Sequence, residues 1–179
     1  MNLRIISGSL GGRLIAAPDG KKTHPMSERI RNALFNSLGD VEGLRVLDAF
    51  AGTGALGIEA LSRGAEHATF IERDRLAQKI LQENIESLGI AENAKIIKAP
   101  VASWINTYEG PKFDLILADP PYHDPQFSTA LKLTGLLKPN GLMVLSHAGR
   151  SESPSESGVV VVDNRGYGNA ALTYFRLEK

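Results

Sequence analysis

The chain has 179 residues, 42% hydrophobic and 22% charged, which suits one globular domain with a real core and excludes disordered and fibrous classes. It has no cysteine, so disulfides, thiolate catalysis and cysteine zinc sites are excluded. Basic and acidic residues balance at 20 each, yet residues 1–31 carry six basic side chains (Arg4, Arg13, Lys21, Lys22, Arg29, Arg31) against Asp19 and Glu28, a +4 arm that leaves −4 for the remainder. Such an arm fits nucleic-acid phosphates as well as it fits a solvated face. The N-terminal "MNLRIISGSLGGRL" is broken by Gly and Arg and no long apolar run follows, so a soluble, cytoplasmic protein is expected.

In chain order, Leu3–Ser7 and Arg13–Ala17 read as extended segments around "GSLGG", predicting a hairpin. "SERIRNALFNSLG" predicts a helix, with Ser27 as N-cap, Ile30, Ala33, Leu34 and Leu38 at helical spacing, and Gly39 after the end. From residue 44 strands and helices alternate: "LRVLDAF", "ALGIEALSRG", "HATFIERD", "RLAQKILQENIESLG", "AKIIKA", "VASWINTY", "FDLILAD", "PQFSTALKLTGLL" and "LMVLSHA". Continuous apolar strands in that order predict an α/β fold, a parallel sheet with helices on both faces. "SESPSESG" (151–158) reads as a polar, mobile loop. "VVVVD" and "AALTYFRLE" are separated only by "NRGYGN", too short for a parallel crossover, so one antiparallel strand is expected near the sheet's end. The whole, 1–179, reads as a single domain, with residues 1–40 forming the basic hairpin and helix and 41–179 the core.

"LDAFAGTGALGIEA" places Gly52, Gly54 and Gly57 between the first parallel strand and a helix, and Glu72 ends the next strand 20 residues after Gly52. This is the pattern of a nucleoside site, with glycines for close approach to the backbone and an acid for ribose hydroxyls. Gly54 is expected to approach the ligand too closely for a side chain, so that valine there would block binding and spare the fold. A pyrophosphate would favour basic company, but the loop opens with Asp48 and carries no basic residue from Ala49 to Leu61. S-adenosylmethionine, with a sulfonium and an α-amino group, fits an acidic loop better.

In "LILADPPYHD" a buried-looking strand runs into Asp119, Pro120, Pro121 and Tyr122. By itself this is a strand stop and a rigid turn. As the fourth strand of the parallel run, however, it should flank the glycine-loop strand and bring Asp119 to the ligand edge of the sheet. A carboxylate and the fixed Pro120 carbonyl would accept N–H bonds from a conjugated amine, and Tyr122 would stack on its ring. Guanine's N1–H and exocyclic NH2 match two carboxylate oxygens, so guanine is favoured, although an acid can also bind adenine's amine. His67, His123 and His147 are scattered without ligand spacing, so no metal is expected, and Trp104 reads as core.

"RIISGSLGGRLI", "THPMSERIRNALFNSL", "LDAFAGTGALGIEALSRGA", "DPPY" and "GYGNAALTYFRLEK" together resemble the RsmD family of bacterial 16S rRNA guanine-N2 methyltransferases over essentially the whole chain. The resemblance implies a Rossmann-like class I fold with a mostly parallel seven-stranded sheet, and methyl transfer from S-adenosylmethionine to one guanine of small-subunit rRNA. The partner implied is 16S rRNA within the 30S subunit or a late assembly intermediate, acted on by a monomer. By position, Asp48, Ala51, Gly52 and Gly54 would form the donor loop, with Glu72 and Arg73 at the ribose. Asp119, Pro120, Pro121 and Tyr122 would hold the guanine. Arg13, Lys21, Lys22, His24, Arg29 and Arg31 would face RNA, mainly its phosphates. His24 stands where the family more often has Arg. "KAPVASW" lacks the acid often found after the third strand, leaving adenine recognition to backbone at Pro100 and Val101 or to stacking. Two readings stay open beside this one: an amino-methyltransferase acting on adenine, cytosine or a protein glutamine, and a noncatalytic nucleotide-binding or ribosome-assembly module.

Overall fold

Apolar runs such as "VLDA" and "LILA" cannot alternate a wet and a dry face, so they are stable only in a sheet covered on both sides. The computed structural model describes residues 1–19, 25–149 and 157–178, and in it these runs form the centre of a seven-stranded sheet. The elements are β1 (Asn2–Arg4), β2 (Leu14–Ala16), α1 (Glu28–Leu38), β3 (Arg45–Ala49), α2 (Ala55–Ser62), β4 (His67–Glu72), α3 (Arg75–Leu88), β5 (Ala94–Lys98), α4 (Val101–Ile105), β6 (Phe113–Ala118), α5 (Phe127–Lys132), β7 (Leu137–Ala148), β8 (Val159–Tyr167) and β9 (Ala170–Leu177). The sheet order is β5-β4-β3-β6-β7-β9-β8. The pairings from β5 to β7 are parallel, and β9 runs antiparallel to both β7 and β8. This is the parallel sheet with one reversed strand that the connection lengths predict.

Period-two alternation divides the core between the two faces. Val46, Leu115 and Leu117 point toward α1, α2 and α3, where they meet Leu34, Phe35, Ile58, Leu81 and Ile85. Leu47 and Ile116 point the other way, toward Val101, Trp104, Ala130 and Leu131 of α4 and α5, and Phe113 joins them because the β6–β7 register shifts between it and Leu115. Trp104 is thus core, as its spacing suggests. Among the described residues no helix is long and apolar enough to cross a membrane.

The hairpin is shorter than its two apolar segments imply. β1 and β2 pair over three residues each, because Ile5 turns inward to the core and Gly12 N–H and Arg13 O close a wide turn onto it. At the other end the strands are longer: most of "NRGYGN" belongs to β8, and only Gly168 and Asn169 separate it from β9. The helix of residues 28–38 begins where the sequence suggests, with Ser27 accepting from Ile30 N–H at 3.2 Å. The loop expected at 151–158 falls largely outside the described residues, as do Lys21, Lys22 and His24.

One expectation for the arm is corrected. Arg31, read as a phosphate contact, is 1% exposed. It shares the inner stripe of α1 with Leu34, Phe35 and Leu38, so helical geometry carries it into the interface with α2. There it donates to Glu59 Oε1 at 3.2 Å, while Arg63 donates to Oε2 at 2.9 Å. Glu59 also accepts from the N–H groups of Ile6 (2.9 Å) and Ser7 (3.1 Å). The basic arm is therefore partly neutralised within the fold: Arg4 pairs with Glu28, and Arg31 with Glu59.

Taking one charged donor from a buried carboxylate that keeps Arg63 and two N–H groups costs about 1–3 kcal/mol. Arg31→Ala should lose stability on that scale, whereas Arg29→Ala, on the exposed face of the same helix, should change it by less than about 0.5 kcal/mol. Urea denaturation of both variants checks the contrast; equal midpoints would remove the network from the fold's support.

Candidate active site

Because β4, β3 and β6 are neighbours in that order, the parallel sheet brings Glu72, Asp48 and Asp119 to one edge, at the carboxyl ends of its central strands. Asp48, the acid of β3, is 1% exposed, and its Oδ2 accepts from Gly57 N–H at 2.9 Å in the first turn of α2. Burial pushes its carboxyl well above the ordinary range; the Gly57 bond opposes this, and the nearby Asp119 and Glu72 charges reinforce it. Glu72 is held by two backbone donors, Gly52 N–H to Oε1 at 2.8 Å and Asp74 N–H to Oε2 at 2.7 Å. Each oxygen keeps a further lone pair for a ligand.

The chain turns sharply between these acids. Phe50 has φ +59°, an uncommon conformation for a bulky residue, at the very tip of β3. Ala51 N–H then reaches Ile71 O on β4, and Gly54 N–H returns to Ala51 O, both at 2.9 Å. The three glycines differ in role. Gly52 adopts φ +59° with open space where a Cβ would project. A Cβ on Gly54, at φ +90°, would lie 2.4 Å from Leu81 Cδ1, and one on Gly57 would lie 2.3 Å from the Phe70 ring. So Gly54 excludes a side chain because Leu81, Ile58 and Phe70 fill the space, not because a ligand must. The expectation that valine there would spare the fold is corrected accordingly.

Beside this loop, β6 ends at Ala118 and is followed by Asp119, buried Pro120, exposed Pro121 and Tyr122, which is 46% exposed. Pro121 O accepts from Asp124 N–H at 3.0 Å, closing the turn after the diproline. Burial pushes the Asp119 carboxyl up to about 6, and a hydrogen bond from Ser146 works against that rise. Tyr122 Oη lies 3.2 Å from Ser146 Oγ, and burial raises its phenol as well. Arg73, next to Glu72, reaches Asp124 at 3.4 Å and so spans the tip of β3 from the β4 side to the β6 side. Pro100 and buried Val101 continue the same edge beyond β5. The structure thus gathers Asp48, Ala51, Gly52, Gly54, Glu72, Arg73, Pro100, Val101 and Asp119–Tyr122 at one edge. Among the described residues no group of His, Cys, Asp and Glu could hold a metal.

Three residues of this region were not singled out in the sequence: Asp124, Ser146 and Asn84. Asn84 on α3 is 3% exposed; its amide donates to Ala16 O (3.0 Å) and Thr53 O (3.1 Å) and accepts from Ala16 N–H (2.8 Å), joining the hairpin to the glycine loop. Asn84 and Ser146 each interrupt an apolar pattern, Leu81/Ile85/Leu88 and "LMVLSHA", and a polar residue at a core position is the signal that could have found them. Of the arm's described cations, Arg13 is exposed and donates to Ser87 O at 3.0 Å, and Arg29 is exposed. A cavity of about 270 Å³ at the opposite end of the strands gathers no comparable chemistry: its Asp114 is bonded to Arg45 N–H and Lys138, and its Arg176 to Asn140 O.

Comparison with known proteins agrees with this geometry. The family model described as "Conserved hypothetical protein 95" matches residues 3–176. "Putative rRNA methyltransferase YlbH" of Bacillus subtilis is 34% identical over 169 residues, covering 91% of this chain and 92% of that protein. "Ribosomal RNA small subunit methyltransferase D" of Escherichia coli K12 is 35% identical over 161 residues, covering 89% and 79%. The solved structure of "Putative methyltransferase yhhF from Escherichia coli" superposes with a TM-score of 0.88 at 30% identity, covering 99% of each chain.

The two loop glycines should separate in the laboratory. Gly54→Val adds overpacking of about 1–3 kcal/mol to a left-handed backbone penalty of about 1–2 kcal/mol and should lower the melting temperature markedly. Gly52→Ala carries only the backbone penalty and should remain folded. A Gly54→Val protein that melts with wild type would refute the packing assignment.

Proposed function

This chain belongs to the family described as Conserved hypothetical protein 95, and from that premise we propose that it transfers a methyl group from S-adenosylmethionine to the exocyclic N2 amine of a guanine in 16S rRNA. The observation that carries the reading is the adjacency, on β3 and β6, of an acidic glycine loop and the Asp119–Tyr122 turn. Relatives named as rRNA methyltransferases support the substrate class.

The residues fit a cationic donor. Burial first, and then the charges of Asp119 and Glu72, push Asp48 toward protonation, and no basic residue lies between Ala49 and Leu61. Bound there, S-adenosylmethionine supplies a methyl group on a sulfonium, which an aligned lone pair can displace. Glu72, clamped by Gly52 and Asp74, offers its free lone pairs to ribose hydroxyls, and the open side of Gly52 leaves room for the ligand along the backbone. On the acceptor side, the Asp119 oxygens accept from guanine N1–H and N2–H, and the Pro120 carbonyl accepts from the amine's second hydrogen. Holding the amine by its hydrogens aligns its lone pair with the methyl carbon. As the N–C bond forms, the amine must shed one proton, and a carboxylate that titrates near 6 can take it. Tyr122, half exposed beside Asp119, offers its ring to a base withdrawn from its stack. Arg13 and Arg29, with Lys21, Lys22 and His24, would meet the phosphates. The substrate setting we propose is the cytoplasmic 30S subunit or a late precursor of it, approached by a monomer.

Mass-spectrometric nucleoside analysis tests the reading. Purified protein with S-adenosylmethionine should form N2-methylguanosine in 16S rRNA from cells lacking the gene, whole or in 30S particles. N6-methyladenosine, a methylcytosine or methylglutamine would identify a different amine, and absence of donor binding by calorimetry would leave a noncatalytic module.

Two further outcomes follow from Asp119. Its folded-state value of about 6 lies above the ordinary 3.8, so the ligand-free protein holds the proton more tightly than the unfolded chain does. Its contribution therefore favours the fold as pH falls from 6 toward 4 and opposes it as pH rises through that window. A bound cation lowers the carboxyl, so donor binding should release protons near pH 6 and tighten between pH 5 and 7. Calorimetry in two buffers of different ionisation enthalpy measures the release. Asp119→Asn should still bind the donor, with the affinity wild type shows at pH 5 and without the tightening toward pH 7, and at saturating donor should lose at least about a hundredfold in single-turnover rate, because its NH2 opposes guanine's own donors. A wild-type rate in that variant would show that Asp119 does not hold the base.

A further inference from the structure

Ser146 lies on β7, one residue past Leu145, which pairs with Ala118 on β6. Strand register therefore sets it beside Asp119. It is 3% exposed, in a strand whose neighbouring Val144 and Leu145 are core. A hydroxyl in such a place needs partners; it has the Tyr122 phenol at 3.2 Å, and strand register sets the Asp119 carboxylate beside it as the acceptor for its proton. Proton counting orders them. Serine has one O–H, and an ionised carboxylate can only accept, so Ser146 donates to Asp119 and the Tyr122 O–H donates to Ser146 Oγ. Tyr122 has its ring half in solvent and its hydroxyl tied inward.

We propose that Ser146 is the positioning residue of the acceptor site, its single hydroxyl coupling the carboxylate of Asp119 to the phenol of Tyr122 so that the acceptor oxygens and the stacking ring are presented as one rigid unit. The assignment rests on the methyltransferase reading above for its catalytic meaning, and on strand register and hydrogen bonding for its geometry. Without the hydroxyl, Asp119 loses a donor to its ionised form, and Tyr122 is released from the wall of the site. Asp119 faces Asp48 on the adjacent β3 and Tyr122 in its own loop, with Glu72 one strand further away on β4. Ser146 is the uncharged contributor from β7, so its replacement moves the Asp119 titration without removing a charge.

The test has an arm that needs no activity. With carboxyl-labelled aspartate, carbon NMR should show the Asp119 titration of the free protein move up by about half a unit to one unit in Ser146→Ala, and return toward wild type in Ser146→Thr, which keeps a hydroxyl. An unmoved titration in a folded Ser146→Ala protein overturns the proposal, whatever the substrate is. With saturating donor, the acid limb of kcat/KM for rRNA should rise by the same interval in Ser146→Ala, together with a several-fold higher KM. Tyr122→Phe, which leaves the Ser146–Asp119 bond intact, should raise KM with the acid limb in place. Equal limbs in wild type and Ser146→Ala would reduce Ser146 to a packing residue. Failure of wild type to methylate rRNA would sink the functional reading, while the NMR arm would still decide the coupling. Should Ser146→Ala not fold, Ser146→Cys, a weaker donor of similar size, must show an intermediate upward shift, and no shift there overturns the assignment equally.

Discussion

The placement of the arm on the catalytic body depends on one buried carboxylate. Glu59 is wholly enclosed and receives two arginines, one from α1 and one from the residue that follows its own helix, and two backbone N–H groups from the segment after β1. A lone charge there would be prohibitively costly, so all three elements must arrive together and in one orientation. Apolar packing between the same surfaces would tolerate sliding; four directional bonds to two oxygens do not. Because Glu59 lies on α2, the helix that begins at the glycine loop, the arm is referenced directly to the donor side of the site. Asn84 repeats the connection from α3, pairing with Ala16 as a strand neighbour would and holding Thr53 O in the loop itself.

The other organising constraint is electrostatic and opposite in sense. At the sheet's carboxyl edge the fold gathers three acids and supplies backbone N–H groups in place of cations: Gly57 to Asp48, and Gly52 and Asp74 to Glu72. Dipoles of this kind hold carboxylates in position without cancelling their charge. The site is thus rigid and negative before any ligand arrives, the preorganisation that a cationic ligand can exploit without rearranging the protein. The arginines of the first 31 residues are treated differently. Arg4 and Arg31 are paired within the fold, and the other two, Arg13 and Arg29, are exposed on the hairpin and on the outer face of α1.

Most of the architecture was legible because it rests on local rules. Alternating strands and helices, uninterrupted apolar strands and a connection too short for a crossover specify a parallel sheet with one reversed strand. The position of Asp119 next to the glycine loop followed from strand count alone. What was not legible depends on the partner surface. Arg31 counts as surface charge until Leu34, Phe35 and Leu38 are seen on the same stripe and Glu59 opposite. Gly54 looks like a ligand contact until Leu81 fills the space. "NRGYGN" has the composition of a turn, yet most of it pairs as strand because β9 supplies a hydrogen-bonding edge along its length. Ser146 and Asn84 were visible only as polar interruptions in apolar stripes, and their partners lie far from them in the chain.

On the proposed function, the donor and acceptor halves of the site are linked through charge as well as through backbone. Guanine's adjacent N–H groups require Asp119 in its ionised form, whereas desolvation holds this carboxyl near 6, with Asp48 and Glu72 close by on the neighbouring strands. A sulfonium placed among the three acids relieves their mutual repulsion and stabilises the carboxylate in the same step. The group that supplies the methyl thereby also readies the acceptor that will hold the amine. Ser146 contributes the remaining bias toward ionisation from the other side of β6, through a hydrogen bond that does not depend on the donor. Asp119 is in this way balanced between burial, which favours the neutral acid, and two independent influences that favour the charged one, and a carboxyl so balanced can accept hydrogen bonds before methyl transfer and a proton after it.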